Sequence, residues 1–391
     1  MDERLTVSRC LPVDLERALL VGRVWLPDAA GPAVVRVRTE GVYDLSRLAA
    51  TVSALLDIDD PAAAVRAAEA PRIGSLEETL ANSAWSRRDP AQPWFLAPID
   101  LQAIKASGVT FVSSMLERVI EEQARGEPAK AEAVRRAIVA VIGEDLASVR
   151  PGSPEAASLK EVLIAEGAWS QYLEVGIGPD AEIFTKSQPM SAVGIGAEIG
   201  IHPKSEWNNP EPEIVLAVSS RGESVGATLG NDVNLRDFEG RSALLLGKSK
   251  DNNASCAIGP FVRLFDDDFT LDDVRSCELS MRVDAPDGLV LEGASSMAMI
   301  SRDPLDLVGQ AIGANHQYPD GLVLFLGTMF APTLDRLGPG RGFTHVLGDI
   351  VTVATPRLGA LVNRVNRSDR IPRWTFGARA LAENLARRGL L

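Results

Sequence analysis

Residues 206–218 read EWNNPEPEIVLAV, and the two glutamates flanking Pro212 are the first feature of the chain with a chemical consequence. In an extended backbone, side chains two apart share a face, so Glu211 and Glu213 stand side by side at the entrance to an apolar strand. Carboxylates held that close repel, and one of them titrates upward unless a cation or a shared proton compensates. Nineteen residues beyond Glu213, the stretch LGNDVNLRDFEG places Asp232 after a Gly-Asn turn at the start of another short extended run. Three carboxylates with no cysteine or histidine nearby form a hard oxygen set. So few protein ligands leave positions for water and substrate, which suits Mg²⁺ or Mn²⁺. The competing reading is a solvated strand edge, where Pro212 is tolerated because no partner needs its missing amide.

The elements that must position these groups come from a chain of 391 residues, 46% hydrophobic and 24% charged, which predicts a substantial core in one large or two smaller domains. Mean hydropathy is +0.04, and no apolar run approaches the roughly 18 residues of a spanning helix, so no membrane partner is expected. The 53 acidic and 40 basic residues give a formal charge of −13, the wrong sign for a surface that tracks phosphates, and nucleic acid is not expected as a partner. Cys10, Cys256 and Cys277 form no CxxC and are expected to be buried thiols. The first 25 residues lack the basic start, apolar core and cleavage site of a secretory signal, which makes the cytoplasm the expected location.

Residues 21–45 alternate β-branched positions with Pro-Asp and Gly-Pro turns, predicting short antiparallel strands in a small N-terminal β domain over 1–92 that closes with the polar stretch NSAWSRRDPAQ. A strand plus a helical lid is expected over 93–165, with two helices within 115–149 separated by Gly-Glu-Pro after Arg125. From 166 to 391, the runs EIVLAV, SALLLG, GLVLFLG and DIVTVA predict strands of a catalytic core. The fold class expected is α+β, mostly β. The glycine-rich stretches VGIGPD, VGIGAEIG and LGPGRG lack the context of a phosphate loop and read as turns.

In order and approximate spacing, PEPEIVLAV, LGNDVNLRD, LLLGKSKDNNASCAIGPF and LFLGTMF resemble the fumarylacetoacetate hydrolase family over residues 170–391, and KASGVTFVSSMLE resembles the strand and lid that precede its core. The wording of EWNNPEPEIVLAV, KDNNASC and HQYPDGLVLFLGTMFAP is most similar to the 2-keto-3-deoxypentonate dehydratase branch. The resemblance implies a mixed β-sandwich roll with the metal at an open mouth, at least a homodimer, and a divalent ion on Glu211, Glu213 and Asp232. It also implies that Lys186 and Thr328 line the pocket. A bland reading stands beside each, an exposed lysine and a packed β-branched residue. Lys248 and Lys250 fall at the family's Gly-Lys, and strand alternation would put both on one face. An anionic 2-keto acid meeting a protein of charge −13 needs local cations, which the metal with Lys186, Arg236, Lys248 or Lys250 could supply. His202, His316 and His345 fit no ligand or triad pattern and read as structural, with His316 the one expected nearest a ligand.

Hydrolytic members carry His-x-x-Glu in the lid. Here Ser114 stands at the histidine position, where it would contact substrate, and Glu117 stands at the glutamate. A lone carboxylate in an apolar lid would have a raised pKa suited to proton transfer, while the bland alternative is a surface glutamate paired with Arg118. Glu121 and Glu122 are close enough to compete. The reading that results is a Mg²⁺- or Mn²⁺-dependent dehydratase converting 2-keto-3-deoxypentonate to 2,5-dioxopentanoate, with Glu117 as acid/base and Lys250 or Lys248 assisting. Its alternatives are a hydrolase cleaving a carbon–carbon bond of a 2,4-diketo acid, and a silent sugar-acid binding protein.

Overall fold

The computed structural model describes residues 2–142, 149–165, 167 and 169–391. The alternating segments near the N-terminus form the antiparallel strands Leu20–Leu26, Gly31–Arg38 and Gly41–Asp44. Leu20 and Val21 pair in turn with Arg263 and Val262 of the strand Cys256–Leu264. The strands of the expected N-terminal domain therefore have no sheet of their own and extend the sheet of the C-terminal core. The reason is their apolar content. Leu20 to Val24 are buried on both faces, with Val21 against Val52, Leu55 and Val65 of two short helices on one side and Val24 in the main core on the other. A strand covered on both faces reads as a near-continuous apolar run.

Among the described residues the large sheet has eleven strands. Beyond Cys256–Leu264 it continues through Ser224–Asp232, Pro212–Val218, Leu322–Phe325 and Ala103–Gly108 to Glu182–Ser187. A second sheet of five strands runs Val290–Ser296, Glu278–Asp284, Ile350–Thr355, Gly359–Arg367 and Glu198–Ile201. Leu216, Leu229 and Phe261 of the first share a core with Met281, Val353 and Leu361 of the second, the two-layer arrangement expected of an α+β roll.

Two helices, Val112–Gln123 and Pro128–Ile142, follow the strand Ala103–Gly108 as anticipated. The break between them passes through Arg125 and Gly126 at φ 53° and 70°, and a Cβ on Gly126 would lie 2.8 Å from the Asp237 carbonyl oxygen. Residues 143–148, the end of the second expected helix, lie outside the described residues. The first helix packs Met115, Val119 and Ile120 against Tyr172, Leu173 and Trp207. The run SALLLG departs from expectation. It is not a strand but a turn of 3₁₀ helix (Ala243–Leu245) leading into the helix Leu246–Lys250, started by the Ser242 hydroxyl accepting from the Leu244 amide and leaving Leu244 exposed. A strand in the sheet would have had to bury that apolar run.

Removing residues 1–92 uncovers the edge of Cys256–Leu264 and strips the cluster around Val262 and Leu264. The shortened chain is expected to be insoluble or to lose cooperative unfolding. Soluble expression with a single sharp urea transition would show the N-terminal strands to be separable.

Candidate metal centre

Pro212–Val218 and Ser224–Asp232 are antiparallel neighbours with Glu213 opposite Gly230, so the start of one strand meets the end of the other. The Asp232 amide donates to the Glu211 carbonyl at 3.0 Å and closes this corner. Carboxylate oxygens of Glu211, Glu213 and Asp232 all lie within 4.8 Å of one another, the one such group of three potential ligands among the described residues. Each residue is 1% exposed. The centre is thus sealed, and the open mouth expected from family resemblance is closed by the lid helix.

Positive charge converges on the cluster from three segments. Lys250 Nζ lies 2.5 Å from Glu211 Oε2 and 2.9 Å from Asp232 Oδ2, and Lys186 Nζ lies 2.9 Å from Asp232 Oδ1. Arg118, from the lid helix, pairs with Glu211 and also with Glu121 at 2.7 Å and Glu239 at 3.2 Å. Burial opposes ionisation of Glu211, but Arg118 and Lys250 outweigh it and hold its carboxyl at about 2. Among the described residues no cation forms an ion pair with Glu213, and Lys250 acts on it only from a distance. The Glu213 carboxylate accepts from the Gly327 amide at 2.7 Å and the Thr328 hydroxyl at 3.3 Å, while burial and the charges of Asp232 and Glu211 push its pKa well above the carboxyl range. Three oxygen donors that together carry more negative charge than their surroundings hold comfortably fit a hard divalent cation, and the set contains no soft ligand.

The residues singled out from sequence divide. Lys186, Lys250 and Thr328 reach the cluster. Ser114 lies on the buried side of the lid helix. Lys248 does not join Lys250. Both sit in the helix Leu246–Lys250, where a spacing of two turns side chains to different sides, so Lys250 is buried in the centre while Lys248 is exposed with its ammonium 5.9 Å from the Phe238 ring. Arg236 is not free to meet a substrate. It pairs with Glu121 at 2.5 Å and Glu117 at 2.9 Å and stacks 4.5 Å from the Trp207 ring. Glu117 is correspondingly no isolated carboxylate in an apolar lid, because Arg135 at 2.9 Å and Arg236 clamp it from two sides. Glu122 turns to Ser170 and Gln171. His316, the histidine expected nearest a ligand, is exposed in a turn closed by the Gly313 amide donating to its carbonyl.

One acidic residue passed over in the sequence is Glu182, which opens the strand Glu182–Ser187. Burial, with Glu239 and Glu211 adding to it, pushes its carboxyl up to about 7 against the pull of Arg118 and Lys250. It lies opposite Gly108, where a Cβ would come within 1.8 Å of its Oε2, so glycine there leaves space for the carboxyl. Glu182 also lines a cleft with Tyr172, Ala243 and Leu246. Glu182 shares a strand face with Phe184, whose ring lies 5.6 Å from Lys250 Nζ, while the pairing register shifts before Lys186 is reached. Arg118, noticed only as a neighbour for Glu117, carried no signal of its pairing with Glu211.

The sequence profile described as "Fumarylacetoacetate (FAA) hydrolase C-terminal" matches residues 168–366, just over half of the chain. The chain belongs to the fumarylacetoacetate hydrolase family. Within it, this family member is 32% identical over 194 residues to the "Probable 2-keto-3-deoxyxylonate dehydratase" of Haloferax volcanii, covering 50% of this chain and 63% of that protein. It is 30% identical over 193 residues to the "2-dehydro-3-deoxy-D-arabinonate dehydratase" of Saccharolobus solfataricus, covering 49% of this chain and 60% of that protein. The match thus spans less than two thirds of the curated relatives. A solved 2-keto-3-deoxy-D-arabinonate dehydratase complexed with magnesium and 2,5-dioxopentanoate superposes with a TM-score of 0.58 at 20% identity, over 90% of this chain and all of that one, a likeness of fold.

Glu213→Gln is expected to act with opposite signs on the metal-free fold and on metal binding. A neutral amide avoids the cost of ionising Glu213, a cost absent below the ordinary carboxyl range and present above it, so at neutral pH in EDTA the variant should melt higher than the wild type. Its Mg²⁺ affinity by calorimetry should fall at least tenfold. A lower melting temperature in EDTA would mean that the carboxylate is structural.

Proposed function

We propose that this family member is a metal-dependent hydro-lyase that converts a 2-keto-3-deoxypentonate to 2,5-dioxopentanoate, with Glu211, Glu213 and Asp232 holding Mg²⁺ or Mn²⁺. The observation that carries the reading is the buried three-carboxylate cluster, on a fold shared with a dehydratase solved with magnesium and that product. The bound ion supplies positive charge opposite the C1 carboxylate and C2 keto oxygen, where negative charge develops as the C3 proton leaves. The C4 hydroxyl departs as water, and transfer of a C5 proton then yields a C4–C5 enol whose ketonisation gives the aldehyde. Lys186 and Lys250 hold the carboxylates in place and present ammonium groups beside them. The lid helix keeps bulk water from the carbanionic stage.

Two carboxylates are candidates for the acid/base work: Glu117 at the lid position that the family resemblance singles out, and Glu182, which faces Gly108 and whose carboxyl burial pushes up to about 7. Glu117, bound to two guanidinium groups, positions Arg236 and through it Glu121. A cytoplasmic place in sugar-acid breakdown and a homodimeric assembly accord with this reading.

Incubating the protein with Mg²⁺ and racemic 2-keto-3-deoxypentonate should yield 2,5-dioxopentanoate, detected by coupling to an aldehyde dehydrogenase. EDTA should abolish the product and added Mg²⁺ or Mn²⁺ restore it. Pyruvate as product would point instead to carbon–carbon cleavage, and activity that survives exhaustive chelation would sink the metal site.

The two glutamates separate kinetically. Glu182→Gln should lower kcat by about 10²- to 10⁴-fold with KM little changed. Glu117→Gln, which loosens an ion-pair network, should cost less in kcat and show up in lid stability. The reverse ranking would return the proton to Glu117.

A further inference from the structure

Away from the metal centre, a cavity of about 240 Å³ lies between residues 23–25, 85–97, 190–198, 253–254 and 371–376. No carboxylate of the metal cluster and no residue of the lid helix lines it. Four of the chain's six tryptophans do: Trp25, Trp85, Trp94 and Trp374, with Phe376 beside them. All five rings lie outside residues 168–366, the span that matches the family profile, so the aromatic lining is built by the segments on either side of that match.

Strand pairing sets the arrangement. Trp25 lies directly opposite Trp94, and the two rings stack 5.8 Å apart with 20° between their planes. Phe376 meets Trp25 edge-on at 5.2 Å, and the Trp374 indole N–H donates to the Phe376 carbonyl at 2.9 Å. Trp85 and Trp374 nonetheless remain 41% and 47% exposed. Rings of this size stabilise strongly when covered, and two of them left half in water beside a cavity lined by further rings form a surface that an apolar ligand would cover.

A second observation concerns charge. Arg88 lines the cavity half-buried, with its guanidinium carbon 5.1 and 5.0 Å from the centres of the Trp85 and Trp94 rings. Its Nη2 donates to the Ser83 carbonyl at 2.9 Å, and among the described residues no carboxylate pairs with it. Burial alone pushes its pKa down to about 10. The other charges of the lining are matched, Arg23 by Asp100 at 3.8 Å and Glu198 by Arg364 at 3.1 Å. A guanidinium carries five N–H donors and no acceptor, so one that is partly stripped of water and has no carboxylate is left short of acceptors.

We propose that this cavity binds a small aromatic carboxylate, with its ring against the tryptophans and its carboxylate paired with Arg88. The two features select together. Indole faces favour a flat apolar ring over a polyhydroxylated chain. Bare indole faces would also attract a cation, but Arg88 already rests on two of them, and its unmatched charge favours an anion. The volume falls below the roughly 300–1,000 Å³ of sites for drug-sized ligands, which suits a molecule of one or two rings.

The test is calorimetric titration with 2-naphthoate in EDTA, so that no ion at the acidic cluster can take the carboxylate. Saturable one-to-one binding is expected. Arg88→Gln should weaken it at least tenfold, the scale of a charge-assisted hydrogen bond. Trp374→Ala, which removes a half-exposed ring at the rim, should weaken it roughly two- to tenfold. Cyclohexanecarboxylate has the charge without the flat ring and 2-naphthamide the ring without the charge, and each should bind about tenfold more weakly than 2-naphthoate or worse. Absence of 2-naphthoate binding up to millimolar concentration, unchanged affinity in either variant, or equal affinity for either control ligand would each overturn the proposal. Should Arg88→Gln not fold, Trp374→Ala and the two control ligands decide alone.

Discussion

Three carboxylates within 4.8 Å of one another and shut off from water are a charge density that the fold must answer. At an effective dielectric constant near 20, two unit charges about 4 Å apart repel by on the order of 4 kcal/mol, and the cluster avoids part of that repulsion by raising the pKa of Glu213. Much of the local architecture follows from this. Lys186 comes from the end strand of the large sheet, Lys250 from a short helix and Arg118 from the lid, so segments far apart in sequence are tied together by the need to neutralise one corner. Removing any one of these cations leaves a buried charge unmatched, a loss of roughly 3–5 kcal/mol in comparable settings.

The lid is drawn into the same balance. Arg118 is divided among Glu121, Glu211 and Glu239, and Arg236 between Glu117 and Glu121. Docking of the helix Val112–Gln123 is therefore coupled electrostatically to the charge state of the metal centre, in addition to its packing on Tyr172, Leu173 and Trp207. A change of charge at Glu211 alters what Arg118 gains by staying, which gives the lid and the centre a shared equilibrium rather than separate ones.

How much of this was legible in the sequence depended on the range of the signal. The carboxylate pair was readable because strand alternation is a two-residue rule, and Lys186 with Thr328 followed from motif resemblance. The unity of the large sheet was not readable, because pairing of Leu20 with Arg263 spans most of the chain and leaves no local mark. Lys248 was misplaced by assigning a strand period to a stretch that is helical, since a run of leucines suits either. The partners of Glu117 were not readable, because Arg135 and Arg236 lie eighteen and 119 residues away. Glu182 carried no local mark of its burial, because the groups that set it, Glu239, Arg118, Lys250 and Glu211, come from other segments.

In this acidic protein the positive charge nearest the carboxylate cluster is turned inward. In the metal centre the cations are buried and matched: Lys250 between Glu211 and Asp232, Arg118 among three glutamates, Arg236 between two. Matched charges present little net attraction to an anion, and a dication held by Glu211, Glu213 and Asp232 would add the positive charge that the cluster itself lacks. Buried ion pairs of this kind respond little to salt, since exposed charges are screened over about 10 Å at 0.1 M whereas buried ones are screened much less.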